Sequence, residues 1–220
     1  MNVYLFDIDG TLINSGGAGM TTLYEAFEAE FQVKPRGRVN VHGCTDRGIA
    51  ASLFAMHGLD DSLTNFERFR DAYLSRLPRQ LSRHSGFVLP GVDDLLGALG
   101  LRSDVAVGLL TGNVASGARI KLEHFSLWQH FRFGGYGERH PGRPDVAREA
   151  VAGAVGYLGC DVHGSKRLAL GDTPADIECG RAINARCAAV LTGQHTKAEL
   201  EAARPDVLLN DLREFDALLA

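Results

Sequence analysis

The chain has 220 residues, 45% of them hydrophobic and 23% charged, with a formal net charge of -4. That balance is ordinary for a globular protein and offers no whole-molecule attraction to nucleic acid or to an anionic membrane. No apolar run approaches the ~18 residues of a spanning helix, and Cys44, Cys160, Cys179 and Cys187 form no CxxC pair, which argues against a zinc site or disulfide framework and for a reducing cytoplasm.

Val3 to Phe6 is a short apolar, partly β-branched and aromatic run, with no charged-then-apolar leader before it, and reads as a buried strand. Asp7 and Asp9 follow, and Gly10-Thr11 breaks the strand. A buried strand end is a costly place for two like charges unless something cationic meets them. Carboxyl ends of strands are also where ligands bind in open α/β sheets. One carboxylate there suits metal binding or attack on an electrophile; the other suits proton transfer. The competing reading is a strand followed by an ordinary Asp-Gly turn.

Asn14–Gly19 reads as a polar linker, and apolar spacing predicts helices over Gly19–Val33, Thr45–His57 and Ser62–Leu81. Lys34–Asn40 reads as a basic loop, and Ser85–Pro90 as a second linker before a helix over Val92–Leu101. The intervening region therefore reads as all-helical, set between two hinges. A strand over Asp104–Leu110 ends in Thr111-Gly-Asn113, with Asn113 placed to cap a helix over Ala115–Phe125. A short strand over Phe131–Gly135 and a helix opened by Arg143-Pro144 and running to Leu158 come next. Arg167–Leu170 is a strand ending in Gly171-Asp172, and Thr173 and Pro174 start a helix behind it. Strands over Cys187–Leu191 and Pro205–Leu209 and a helix over Leu212–Leu219 complete the pattern. Strands alternating with helices predict a parallel α/β sheet covered by helices.

Three of these strands end in polar residues that a parallel sheet would bring to one edge. Asp7 and Asp172 would give an oxygen-only site suited to Mg²⁺, which takes one or two carboxylates plus waters and a phosphate. Thr111, the amides after it and helix N-termini offer donors to an anion. With a cation offsetting repulsion, one carboxylate can attack phosphorus and a second can move the proton. Other readings stay open for single residues: Asp176 as a helix-capping partner of Thr173, Asn113 as a cap, Asp46 and Arg47 as a plain helix start, and Arg143 as a surface arginine.

Asp7-Ile-Asp-Gly-Thr-Leu12, Leu110-Thr-Gly-Asn113 and Gly171-Asp-Thr-Pro-Ala-Asp176, in this order, resemble motifs I, II and IV of the haloacid dehalogenase-like (HAD) hydrolase superfamily. The chain resembles its phosphoglycolate phosphatase and β-phosphoglucomutase branch. The resemblance implies a Rossmann-like core of residues 1–15 and 86–220 and a helical cap of residues 16–85. It implies Asp7 as nucleophile and metal ligand, and Asp9 as general acid/base lending a backbone carbonyl to the metal. Thr111, Gly112 and Asn113 would hold phosphoryl oxygens, Asp172 would bind Mg²⁺, and Asp176 would support that metal site. Asp46 and Arg47, in a stretch similar to a cap loop of that branch, would face the substrate. The branch's third motif is usually a lysine before proline, and none stands between Lys121 and Lys166. Arg143 fits best, with Arg139 in reserve, since arginine keeps its charge and grips phosphate with two donors. The activity implied is hydrolysis of a small phosphorylated metabolite, with no nucleic-acid or membrane partner and the oligomeric state open. A phosphomutase, and a catalytically idle phosphate-binding protein on the same fold, are the alternatives.

Overall fold

The computed structural model describes the chain except for residues 38, 40, 42, 160, 161, 163–165 and 220. Arg38 and Asn40 of the expected loop, and Cys160, therefore lie outside the described residues. In chain order, β1 (Asn2–Phe6) and β2 (Ile13–Asn14) lead into three helices, α1 (Ala18–Phe31), α2 (Asp46–Met56) and α3 (Leu63–Arg83). Then come β3 (Phe87–Val88), α4 (Val92–Gly100), β4 (Val105–Leu110), α5 (Ala115–His124), β5 (Gly134–Gly135) and α6 (Arg143–Leu158). The chain closes with β6 (Arg167–Gly171), α7 (Pro174–Ala182), β7 (Arg186–Val190), α8 (Lys197–Ala202), β8 (Val207–Leu209) and α9 (Asp216–Leu219).

Six strands form one parallel sheet in the order β5-β4-β1-β6-β7-β8. The apolar run that opens the chain is thus central, paired on both edges and covered on both faces. Its side chains alternate as a strand requires. Val3 and Leu5 pack with Val146, Ala147, Ala150 and Ala154 of α6. Tyr4 and Phe6 pack on the other face with Leu95, Leu96 and Leu99 of α4 and Leu122 of α5. The strand order reverses direction at β1, between β4 and β6, and such switch points leave a crevice at the carboxyl ends of the strands. The architecture is the expected α/β, Rossmann-like parallel sheet flanked by helices.

Helices α1 to α3 bury a separate cluster in which Phe27, Leu53, Phe54 and Leu77 are fully enclosed and Phe66 and Phe69 nearly so. Phe27, Phe54 and Phe69 meet edge-on or tilted with ring centroids 6.2 Å apart, the offset geometry that aromatic quadrupoles favour. Thr45 and Ser62 cap α2 and α3 by accepting from Gly48 N and Asn65 N.

Several sequence expectations need correction. The two linkers are not free: Ile13 and Asn14 pair antiparallel with Val88 and Phe87, so β2 and β3 join the helical unit to the sheet by a ladder. Of the strand expected over 131–135, Gly134 and Gly135 pair in register with β4, and Arg132 and Phe133 also bond its main chain, through Val107 O at 3.2 Å and Leu109 N at 3.0 Å. Phe131, after a 3₁₀ turn at Trp128–His130, packs in the core beside Phe6. The terminal helix over 212–219 is a 3₁₀ turn, Leu212–Glu214, followed by the short α9. Asp211 caps that turn and Glu214 is drawn back onto the Asn210 side chain at 2.7 Å, which closes it early. α8 went unread, although Thr196-Lys-Ala-Glu199 forms a complete capping box.

Gly91 precedes α4 with φ +83°, and a Cβ there would sit 2.1 Å from the carbonyl carbon of Leu212. Gly97, mid-helix in α4, has nothing within 4 Å of a Cβ. Gly91→Ala should therefore cost more than ~2 kcal/mol, whereas Gly97→Ala should add about 0.5–1 kcal/mol. Urea unfolding of both variants checks the contrast; a stable Gly91→Ala would mean the α4 start can shift away from the C-terminal turn.

Candidate active site

The ends of β1, β4 and β6 meet the N-terminus of α6 in a cavity of about 290 Å³. Asp7, Asp9, Asp172, Arg143, Gly112, Asn113 and Lys121 line its sheet side, and Met20, Leu23, Val41, Ile49 and Tyr73 its helical side. Asp7 follows directly on β1, and Asp172 on β6, so strand pairing fixes both. Asp172 is pressed into close backbone: a Cβ on Gly193 would lie 1.7 Å from its Oδ2. Thr11 donates to its other oxygen at 3.4 Å.

Oxygens of Asp7, Asp172 and Asp176 all lie within 4.8 Å of one another, and all three side chains are buried. Asp176 has spent its lone pairs locally: Oδ2 accepts from Thr173 N at 3.0 Å and Thr173 Oγ1 at 2.7 Å, and Oδ1 pairs with Arg143. Its capping reading is realised, and the same carboxylate also pairs with Arg143. Asp7 and Asp172 keep oxygens to spare, an all-oxygen pair of the kind a hard divalent cation takes. The Asp9 carboxylate stands outside this group.

Burial pushes the Asp7 carboxyl well above the usual carboxylate range, Asp176 adds repulsion, and Arg143 opposes both. Asp172 is raised by burial and then by repulsion from Asp176, Asp7 and Asp9. The charge balance of the pocket is thus short of positive charge without a cation, and the donor set fits one.

Arg143, at the first turn of α6, is 7% exposed and sits 3.5 Å from Asp7 Oδ1 while pairing with Asp176. Its Nε has no hydrogen-bond partner among the described residues. Arg139 is exposed and does not line the cavity. Thr111 is fully buried, with its hydroxyl turned to Asn113, and does not reach the cavity wall, whereas Gly112 and Asn113 do. Asn113 does not cap α5. Its amide donates instead to Asp9 Oδ2 at 3.0 Å and to Thr111 Oγ1 at 2.9 Å. The carboxylate of Asp46, reaching over from α2, accepts from Val114 N at 2.8 Å at the start of that helix. Burial lifts Asp46 to about 6, against the pull of Lys121 and the Val114 amide. Arg47 does not enter the cavity; it pairs with Asp61 at 2.7 Å and lies over the Phe66 ring.

Lys121 is the residue that sequence reasoning missed. It sits two turns into α5 and is 4% exposed, with Nζ 2.5 Å from Asp9 Oδ2 and 2.6 Å from Asn113 Oδ1. The available signal was its eight-residue spacing from Asn113, which returns to the same helix face, combined with the N-terminal lean of long helical side chains.

Buried carboxylates at the carboxyl edge of a parallel sheet, opposed by one buried arginine and open to a cavity, define a hydrolase of the phosphatase kind. The chain belongs to the haloacid dehalogenase-like hydrolase family, whose model matches residues 4–190. It is 25% identical over 218 residues to "Probable phosphatase IndB" of Dickeya dadantii, covering 96% of this chain and 90% of that protein. CbbY from Rhodobacter sphaeroides, solved with phosphate, shares the fold with TM-score 0.74 at 17% identity, covering 98% of this chain and 96% of that one. A predicted phosphoglycolate phosphatase from Haemophilus somnus matches with TM-score 0.70 at 15% identity, covering 100% and 97%.

The raised carboxyls give a signed prediction for the metal-free protein. The folded state holds protons that the unfolded chain releases near pH ~4, so stability falls as pH rises above that value. A bound divalent cation removes the penalty. Adding Mg²⁺ at ~100 times its Kd should stabilise by about 2.7 kcal/mol, and the gain in Tm should grow with pH. Asp172→Asn should raise the metal-free Tm and abolish the response to Mg²⁺. A Tm response that survives Asp172→Asn would place the cation elsewhere.

Proposed function

We propose that this protein is a Mg²⁺-dependent phosphatase that hydrolyses the phosphate monoester of a small metabolite through an aspartyl phosphate on Asp7. The observation that carries this reading is Asp7 at the end of the central strand, facing buried Arg143 at 3.5 Å across the cavity. Asp7, Asp172 and the backbone carbonyl of Asp9 would hold the Mg²⁺, with Asp176 fixing Arg143 behind them. When bound, the ion supplies positive charge that offsets carboxylate repulsion and polarises the phosphoryl group.

The Asp7 carboxylate attacks phosphorus as the ester P–O bond breaks, and Asp9 gives its proton to the leaving oxygen. Asp9 then takes a proton from water, whose oxygen attacks phosphorus, and the bond to Asp7 breaks to release inorganic phosphate. Arg143, with an unpartnered Nε and a charge strengthened by Asp176 and Asp7, suits the equatorial oxygens. The Gly112 amide offers a further donor, while Thr111 Oγ1 accepts from both Asn113 N at 3.3 Å and the Asn113 side chain at 2.9 Å. We assign residues 16–85 the part of a cap whose apolar face covers the site and excludes water.

Hydrolysis of p-nitrophenyl phosphate with and without Mg²⁺ tests the reading directly. Asp7→Asn should bring turnover to background with the fold intact by circular dichroism; near wild-type turnover would remove the aspartyl-phosphate route. Asp9→Ala should lose roughly 10²–10⁴-fold on an alkyl phosphate. Arg143→Ala should lower kcat/KM by roughly 10²–10³-fold, by analogy with loss of one preorganised charge-stabilising donor. Arg143→Lys should recover part of it, and Arg139→Ala should do much less. A crippled Arg139→Ala would move the third motif to that residue.

A further inference from the structure

Lys121 is a buried cation that the proposed chemistry does not use. An ammonium taken from water costs several kcal/mol unless paired and hydrogen-bonded, so its partners are informative. Nζ donates to Asp9 Oδ2 at 2.5 Å and Asn113 Oδ1 at 2.6 Å. Asn113 in turn donates from Nδ2 to the same Asp9 oxygen at 3.0 Å and to Thr111 Oγ1 at 2.9 Å. One oxygen of Asp9 is therefore gripped by two donors, one from the loop after β4 and one from α5. The other oxygen, Oδ1, makes no hydrogen bond among the described residues, on a side chain that stays 40% exposed.

The helical side crowds the same cation. A Cβ on Gly19 of α1 would lie 3.6 Å from Nζ, and both Asp46 of α2 and Tyr73 of α3 act on it electrostatically. Burial works against the ammonium, but Asp9, Tyr73 and Asp46 together outweigh it and keep it charged. Asp9 thus has a fixed anchor on one side and a free oxygen on the other. A carboxylate that must reach both a leaving oxygen and a water needs that division, because small errors in placement cost large factors in rate.

We propose that Lys121 is a positioning residue for Asp9: with Asn113 it immobilises Oδ2 and leaves Oδ1 to pass the proton between leaving group and water. This inference rests on the phosphatase reading above. It predicts a dependence on leaving group that a substrate-binding or purely structural lysine would not give. An alkyl phosphate needs a proton on its leaving oxygen, whereas p-nitrophenolate leaves without one, and kcat/KM reports this first step.

The test is kcat and KM of Lys121→Met, Asp9→Asn and the double variant on n-butyl phosphate and p-nitrophenyl phosphate with saturating Mg²⁺. Lys121→Met should lose roughly 10²-fold in kcat/KM on the butyl ester and only a few-fold on the nitrophenyl ester. The double variant removes both charges of the pair, so it should fold even if the single one does not. Its kcat/KM should equal that of Asp9→Asn within a few-fold, since neighbours acting through one group are not additive. Equal losses of Lys121→Met on both esters, or a double variant well below Asp9→Asn, would overturn the inference and make Lys121 a binding or packing residue. If the wild type hydrolyses neither ester, the phosphatase reading itself fails, which the variant comparison keeps separate.

Discussion

Repulsion among carboxylates is the constraint that this structure is arranged around. Asp7, Asp172 and Asp176 sit buried within 4.8 Å of one another, and Asp9 adds a fourth charge nearby. Uncompensated, such a cluster would oppose folding. The fold meets it in three ways at once. Arg143 is inserted between Asp7 and Asp176 from the start of α6. Thr173 binds one oxygen of Asp176 through a capping box, so that charge also serves a helix N-terminus. Lys121 takes the charge of Asp9 on the opposite side of the pocket. What remains is a deficit of positive charge centred between Asp7 and Asp172, the kind of all-oxygen site that suits a hard cation.

Much of this was legible in the sequence, for a local reason. Asp7, Asp9 and Asp172 each end an apolar run, and a parallel sheet brings strand ends together whatever the loops do. The unbroken apolar run Val3–Phe6 read as a buried strand, and its alternate side chains are covered on both faces. Arg143 was legible because Pro144 marks the helix start that aims it. Other features depend on partners far away in sequence. Asn113 reads as a helix cap from its neighbours alone, yet Asp9 and Lys121 claim its side chain and Asp46, sixty-eight positions earlier, bonds the Val114 amide instead. Arg47 has the composition of a substrate ligand but finds Asp61 and Phe66 first. The β2–β3 ladder spans two residues per strand, too short for any periodicity to declare itself.

The two halves of the pocket are held by different kinds of structure, and this separates their functions. On the sheet side, charged groups stand at strand and helix ends whose positions the parallel register sets. The helical side presents Met20, Leu23, Ile49 and Tyr73, of which Leu23, Ile49 and Tyr73 also belong to the core of α1 to α3. Residues that both pack a core and line a pocket tolerate apolar swaps that keep volume, and resist others. Contact between the halves combines backbone and side chains: Asp46 N donates to Gly112 O at 2.7 Å and Arg47 N to Gly137 O at 3.2 Å, while Val114, Ile120 and Phe125 pack into the helical cluster. The main-chain bonds seat the start of α2 over the sheet edge, and the packing of Val114, Ile120 and Phe125 ties α5 to the helical unit. Strand register fixes the charged groups at the sheet edge, whereas the helices set the shape of the opposite wall. Lys121 belongs to the sheet side by its helix and to the junction by its surroundings, so the Asp9 carboxylate is anchored at the border where the two halves meet.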